Sequence, residues 1–204
     1  MDIEHYDEQS RSVKKPLYEY YAQKIKTNTH MLEGKCLDIG SCGGYLGLEL
    51  AKITQLHVTF LDIAQEALDK AALHLIEDDL HERGAILLGD VHAIPLDDES
   101  MDLIISRGSI PFWQEPALAL KEIYRVLKKG GTTFVGGGKG TPEIKKQIED
   151  NMIARGQEID VEMMNKIHGD GMKRDYDALL KSVGITTFTI HRAQDGIWIQ
   201  MQKQ

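Results

Sequence analysis

The run Cys36-Leu37-Asp38-Ile39-Gly40-Ser41-Cys42-Gly43-Gly44-Tyr45-Leu46-Gly47 constrains the fold more than any other stretch of the chain. An apolar strand ends in an acid, and the glycine-rich turn that follows opens a helix. Glycine reaches φ > 0 and carries no Cβ, so the backbone of such a turn lets a ligand come close, and the unpaired N–H groups at the helix start favour negative charge. A nucleotide-like ligand suits that arrangement. Spacing narrows the choice: the dinucleotide fingerprint is G-x-G-x-x-G, but Gly40 is followed two residues later by Cys42, which weakens the pyrophosphate reading.

The segments downstream repeat the strand-to-helix rhythm. Leu56 to Leu61 reads as a buried strand ending at Asp62, where an acid can accept both hydroxyls of a ribose and can also cap the helix that opens at Ala64-Gln65-Glu66-Ala67. A third strand, Ala85 to Gly89, runs into Asp90-Val91-His92-Ala93-Ile94-Pro95-Leu96. A fourth lies in Asp98 to Ser106, and the periodic helix Glu115 to Leu127 leads through Lys128-Lys129-Gly130-Gly131 into the strand Thr132 to Val135. The two glycines fit a helix C-cap and tight turn.

In this order the pieces resemble the class I S-adenosylmethionine-dependent methyltransferases, and within them the type 11-like enzymes that act on small molecules. The first motif of that family is acid-x-Gly-x-Gly-x-Gly, matched by Asp38, Gly40 and Gly44 with Cys42 as a departure. Gly89-Asp90 followed by Pro95, then an acidic turn and Asp102-Leu103-Ile104-Ile105, is similar to the family's third- and fourth-strand signatures. Arg125 to Gly131 matches the signature ahead of its fifth strand, with Lys129 in place of the usual proline. The resemblance implies an α/β, Rossmann-like fold: a seven-stranded, mostly parallel sheet with an antiparallel last strand and helices on both faces. It implies S-adenosylmethionine as cofactor, S-adenosylhomocysteine as product, and a cofactor site drawn from Asp38, Gly40, Ser41, Cys42, Gly44, Asp62, Ile63, Asp90, Val91 and Ser106. In the family the acid matching Asp90 accepts from the adenine amino group, the N–H at Val91 faces the ring, and the residue at Ile63 packs on it.

At 204 residues the chain is long enough for one well-buried domain and short for two. Residues 1–32 read as an N-terminal helical lid, with Pro16 starting a helix, and 33–137 as the cofactor-binding core. Residues 141–183 read as a helical insertion or cap, with helices at Glu143 to Ala154, Asp160 to Ile167 and Lys173 to Val183. Residues 184–204 form a C-terminal hairpin turning at Asp195-Gly196. Tyr18, Tyr20 and Tyr21 cannot all face one way on a helix. A formal charge of −8 with no basic stripe disfavours a nucleic-acid partner. There is no long apolar run for a membrane and no signal-peptide pattern, and the two cysteines are too few for a disulfide scaffold, so a cytoplasmic location is expected. A homodimer stays open.

Methyl transfer from a sulfonium is an in-line displacement in which the donor already carries its leaving group, so a dedicated base is optional, and no catalytic triad or carboxylate pair is evident. The acceptor is expected to be a small molecule. Substrate-pocket candidates lie just after the fourth and fifth strands: Ser106, Arg107 with the aromatic wall of Phe112 and Trp113, and Lys139 beside Gly136-Gly137-Gly138. The glycines there suit either close approach to an anion or a hinge for the cap. His92 is a surface or capping residue or faces the pocket, and His168 with Asp170 sits at a break in the insertion. No His or Cys spacing resembles a zinc site, so no metal is expected. Two rivals remain from other classes: a non-catalytic adenosyl-ligand-binding protein, for which crowding by Cys42 is the hint, and a nicotinamide-dependent oxidoreductase.

Overall fold

The computed structural model describes residues 3–156 and 174–204. Two helices, α1 (Ile3–Arg11) and α2 (Lys15–Thr29), precede the alternating core of β1 (Glu33–Ile39), α3 (Tyr45–Lys52), β2 (Gln55–Asp62), α4 (Gln65–Glu77), β3 (Gly84–Leu88), β4 (Met101–Arg107), α5 (Pro116–Val126) and β5 (Leu127–Gly137). Then come α6 (Pro142–Ala154), α7 (Tyr176–Ser182), β6 (Phe188–Ala193) and β7 (Gly196–Met201). The expected helix at 160–167 and the break at His168 to Gly171 lie outside the described residues.

One seven-stranded sheet has the order β3-β2-β1-β4-β5-β7-β6. Strands β1 to β5 are parallel, and β7 inserts antiparallel between β5 and β6, with Gly136 opposite Trp198 and His191 opposite Trp198 on the other side. This is the expected architecture. The parallel strands are apolar on both faces because helices cover both. On one face Phe60, Leu48, Leu68, Phe134 and Trp198 pack with α2, α3 and α4. On the other, Leu37, Ile104, Leu120, Ile123 and Leu180 pack with α5 and α7.

Strand order reverses between β1 and β4, since β2 and β3 continue to one side and β5 to the other. The helices after β1 and β4 therefore leave on opposite faces, which opens a crevice beyond the carboxyl ends of those two strands. That crevice is where Gly40 and Arg107 lie.

One local expectation fails. Gly130 and Gly131 do not cap α5, whose last residue passes directly into β5. Instead Gly130, at φ 79°, sits in an irregularity of β5 where the register jumps from Met101 opposite Leu127 to Leu103 opposite Thr132. The extra residues loop out and give Gly130 N–H to the Lys203 carbonyl at 2.8 Å.

Candidate functional site

The turn after β1 is built from left-handed residues. Gly40 (φ 63°), Cys42 (φ 50°) and Gly44 (φ 79°) all lie at positive φ, and Gly44 is the N-cap of α3. A Cβ on Gly40 would lie 2.6 Å from the Ser109 side chain. Cys42 departs from the motif in side chain only; its backbone adopts the conformation that glycine enters without penalty. Asp38, 2% exposed, sits beneath the turn and accepts from the Gly47 N–H in α3 at 3.0 Å. Burial raises its pKa to about 7, a rise the Gly47 bond opposes and the charge of Asp62 increases. Asp38 thus braces the turn from below. Burial also pushes the Cys42 thiol up to about 11, which makes it a poor nucleophile at neutral pH.

At the end of β2, Asp62 joins the turn to the next helix. Its Oδ2 accepts from Cys42 N–H at 2.9 Å and its Oδ1 from Ala64 N–H at 3.1 Å. Each oxygen keeps a further acceptor site for a ribose hydroxyl. Ala64, not Asp62, is the N-cap of α4, so Asp62 makes an Asx turn one step earlier. Ile63 beside it is an apolar side chain left 71% exposed, as a platform for a flat ring would be. After β3, exposed Asp90 accepts from both the backbone and the ring of His92, at 2.9 and 2.5 Å, and these bonds hold its pKa below the usual carboxylate value. His92 Nε2 accepts from Glu115 N–H at 3.2 Å, which assigns the proton facing Asp90 to Nδ1. His92 is therefore a strut between Asp90 and the start of α5. Val91, 7% exposed, anchors the same loop in the core.

Three substrate-pocket expectations change. Ser106 is fully buried; its hydroxyl donates to the Ile39 carbonyl at 2.7 Å and meets Ser109 Oγ at 2.5 Å, tying β4 to β1 under the turn instead of facing a ligand. Trp113, 7% exposed, packs in the core on the α5 face, while Phe112 is left 71% exposed, so the two form no common wall for Arg107. The reason is the 3-10 turn Ile110–Phe112, which rotates successive side chains to opposite sides. Arg107 turns the other way, over the rings of Tyr18 at 5.1 Å and Tyr21 at 5.5 Å.

The glycine run at the end of β5 has a packing role. A Cβ on Gly136 would lie 2.1 Å from the Ile197 carbonyl oxygen, and one on Gly138 would lie 1.8 Å from that of Asp195, so these glycines let the β6–β7 hairpin pack against the end of β5. Lys139 follows on that segment, half-buried, and burial lowers its pKa.

The leading helices close over the same crevice. Tyr45, at the start of α3, donates to Asp7 at 2.7 Å and packs against Tyr6 and Tyr18, and the Asp7 carboxylate lies 3.3 Å from His74 of α4. His74 Nδ1 meets the Gly43 carbonyl of the turn at 2.8 Å. Glu4 pairs with Lys70 at 2.7 Å and Arg11 with Asp78 at 2.8 Å, so α1 is fastened along α4. Buried Tyr21 donates to the Asp195 carbonyl at 2.5 Å and accepts from Gly140 N–H at 2.8 Å, while Tyr20 stays at the periphery on the Asp195 carboxylate. Sequence reasoning did not single out Lys14, Asp7, Tyr45 or Ser109. Asp7 and Tyr45 meet across 38 residues of chain and Ser109 underlies Gly40, contacts that no local pattern marks.

A family model described as "Methyltransferase domain" matches residues 37–135. A Methanococcus maripaludis protein assigned to the S-adenosyl-L-methionine-dependent methyltransferases superposes with a TM-score of 0.89 at 32% identity, covering 99% of this chain and 92% of that one. The chain belongs to the S-adenosylmethionine-dependent methyltransferases. Among characterised relatives, the rice (Oryza sativa subsp. japonica) enzyme 2-methyl-6-phytyl-1,4-hydroquinone methyltransferase 1, chloroplastic, is 32% identical over 104 residues, which are 50% of this chain and 30% of that protein. Sterol 24-C-methyltransferase erg-4 of Neurospora crassa is 28% identical over 165 residues, 81% of this chain and 42% of the relative. The matches thus span well under half the length of these two methyltransferases.

The crevice fits the methyltransferase cofactor on its own chemistry. The Ser41 hydroxyl is buried in the turn with no hydrogen-bond partner among the described residues, where a ligand on the turn would supply one. Two carboxylates and one bare apolar side chain stand at the mouths of β2 and β3, the complement of a ribose and a flat heterocycle. Among the described residues no helix is long and apolar enough to cross a membrane.

Proposed function

We propose that this methyltransferase transfers a methyl group from S-adenosylmethionine to a small-molecule acceptor. In this reading Asp62 accepts the ribose hydroxyls, Ile63 and the N–H of Val91 face the adenine, and Asp90 accepts its amino group. The turn at Gly40, Ser41, Cys42 and Gly44 passes beneath the methionine portion, and Asp38 holds that turn in place through Gly47. When bound, the cofactor supplies a sulfonium methyl whose S–C bond breaks as the bond to the acceptor forms, leaving S-adenosylhomocysteine and one proton from the acceptor.

The chain's own residues align and shield. The N-terminal helices, latched through Asp7 to Tyr45 and His74, form the lid that keeps water from the crevice. The phenols of Tyr6 and Tyr45 are pushed upward, Tyr6 foremost by Tyr18 and Tyr45 foremost by burial, so neither is a base at neutral pH. Neither phenol therefore takes the acceptor's proton at neutral pH. The observation that carries the reading is Asp62, bonded to the backbone of both the glycine turn and the next helix yet retaining acceptor capacity toward the crevice. A cytoplasmic location is part of the reading, supported by the free thiols of Cys36 and Cys42.

Calorimetric titration with S-adenosylhomocysteine tests the site. Binding by the native protein with a loss of about 1–3 kcal/mol in Asp62→Ala is expected, as for removal of charge-assisted bonds. Equal affinity in the two proteins would refute the ribose assignment. Binding without turnover across a broad acceptor screen would favour the non-catalytic alternative.

A further inference from the structure

Two cations lie on one group of tyrosines beside the glycine turn, Lys14 on Tyr6 and Arg107 on Tyr18 and Tyr21, with Tyr6 and Tyr18 both packed on Tyr45. Arg107, from the end of β4, lies over Tyr18 and Tyr21, and one of its nitrogens donates to the Gly138 carbonyl at 3.1 Å. Its Nε is buried with no acceptor among the described residues. Lys14, in the link between α1 and α2, stands 4.4 Å from the centre of the Tyr6 ring. Among the described residues neither cation has a carboxylate within ion-pairing distance, in contrast to Arg11, Lys24, Lys52 and Arg125. Asp7, the acid of α1 nearest this cluster, is taken by Tyr45 and His74.

Burial, and then the charge of Arg107, pull the Lys14 pKa down to about 8, so the two groups sense each other across the cluster. Tyr6 and Tyr18 both pack against Tyr45, the first residue of α3, which places the cluster beside the glycine turn. Ring faces soften the cost of desolvating a cation, but they do not relieve the repulsion between two. An anion does both.

The methionine portion of the cofactor brings one carboxylate together with one ammonium and so adds no net negative charge. Resting on the cofactor assignment above, we propose that Lys14 and Arg107, walled by Tyr6, Tyr18 and Tyr21, bind an oxyanion on the methyl acceptor, so that the substrate is a small, ring-containing carboxylate or phosphate. Arg107 Nε supplies the unpaired donor to such a group, Lys14 supplies a point charge from the lid, and the ring would enter beside Tyr6, which is less buried than Tyr18 and Tyr21. Lys14 lies on the leading segment, so the same anion would draw the lid onto the site.

The test is calorimetry on the full chain saturated with S-adenosylhomocysteine, with benzoate, phenyl phosphate and neutral benzamide as probes. Benzoate or phenyl phosphate is expected to bind at least about tenfold more tightly than benzamide, as for a charge-assisted contact. Whichever of the two binds better identifies the anion. Lys14→Met and Arg107→Met should each abolish that preference while leaving S-adenosylhomocysteine affinity unchanged. No preference in the native protein overturns the proposal without reference to any variant. Parallel loss of S-adenosylhomocysteine affinity in both variants also overturns it, by assigning the cations to the cofactor's own carboxylate. If the native protein fails to bind S-adenosylhomocysteine, the cofactor reading falls and this one falls with it.

Discussion

Asp38 makes the stability of this protein depend on pH in a direction opposite to that of most carboxylates. The group is 2% exposed, accepts from the Gly47 N–H at 3.0 Å, and is lifted by burial to a pKa of about 7. In the unfolded chain an aspartate titrates near pH 3.9, so below that value the carboxyl is protonated in both states and folding is indifferent to it. Between about pH 4 and pH 7 the unfolded state has lost the proton and the folded state has kept it, so stability falls as pH rises, by up to about 1.4 kcal/mol per unit. Above about pH 7 both states are ionised and the accumulated cost levels off at about 4 kcal/mol. Asp102, Asp195 and Glu122, whose pKa values are lowered, contribute stability that is lost only as pH falls toward their folded values, a separate window. The perturbation is Asp38→Asn, which keeps an oxygen for Gly47 and removes the titration. Urea unfolding of both proteins at about pH 5.5 and about pH 8.5 should show the variant gaining about 2 kcal/mol on the native protein between the two values. A difference between native and variant that is the same at both pH values would refute the claim that this carboxyl is buried and ionisable as described.

Other outcomes follow from the same geometry. Cys42→Gly removes a side chain from φ 50° and should raise stability by about 1 kcal/mol in urea unfolding; a loss would mean the side chain contributes more packing than the backbone costs. Tyr21→Phe leaves Gly140 N–H without its acceptor and the Asp195 carbonyl without its donor, and should cost about 1–3 kcal/mol, read from the same transition. Trp113→Ala should destabilise by about 3–5 kcal/mol while S-adenosylhomocysteine affinity stays unchanged, because its ring lies in the core on the α5 face; a selective loss of ligand affinity would return it to the site.

The alternation of apolar strands with amphipathic helices, the glycine turn after β1 and the acids closing β2 and β3 are local patterns, sufficient to read the parallel α/β core and the positions of Asp62 and Asp90, while the full sheet with its antiparallel last strand was implied by the family resemblance. Local steric and hydrogen-bonding rules operate over a few residues, so such features are visible in the chain itself. Where side chains point after the regular elements end is another matter. Ser106 near the end of β4 and Trp113 beyond it stand where substrate residues would, yet one is spent on Ile39 and the other on the core, because the neighbouring strand and the turn through Pro111 decide their direction. Gly136 and Gly138 at the end of β5 admit a hairpin that arrives from the far end of the chain. The meeting of Lys14 with Arg107, and of Asp7 with Tyr45 and His74, depends on how α1 lies across α4, an arrangement set by contacts between segments far apart in sequence. Charge and hydrogen-bond complementarity at such distances has no periodicity to betray it, so only the tertiary structure brought those groups together.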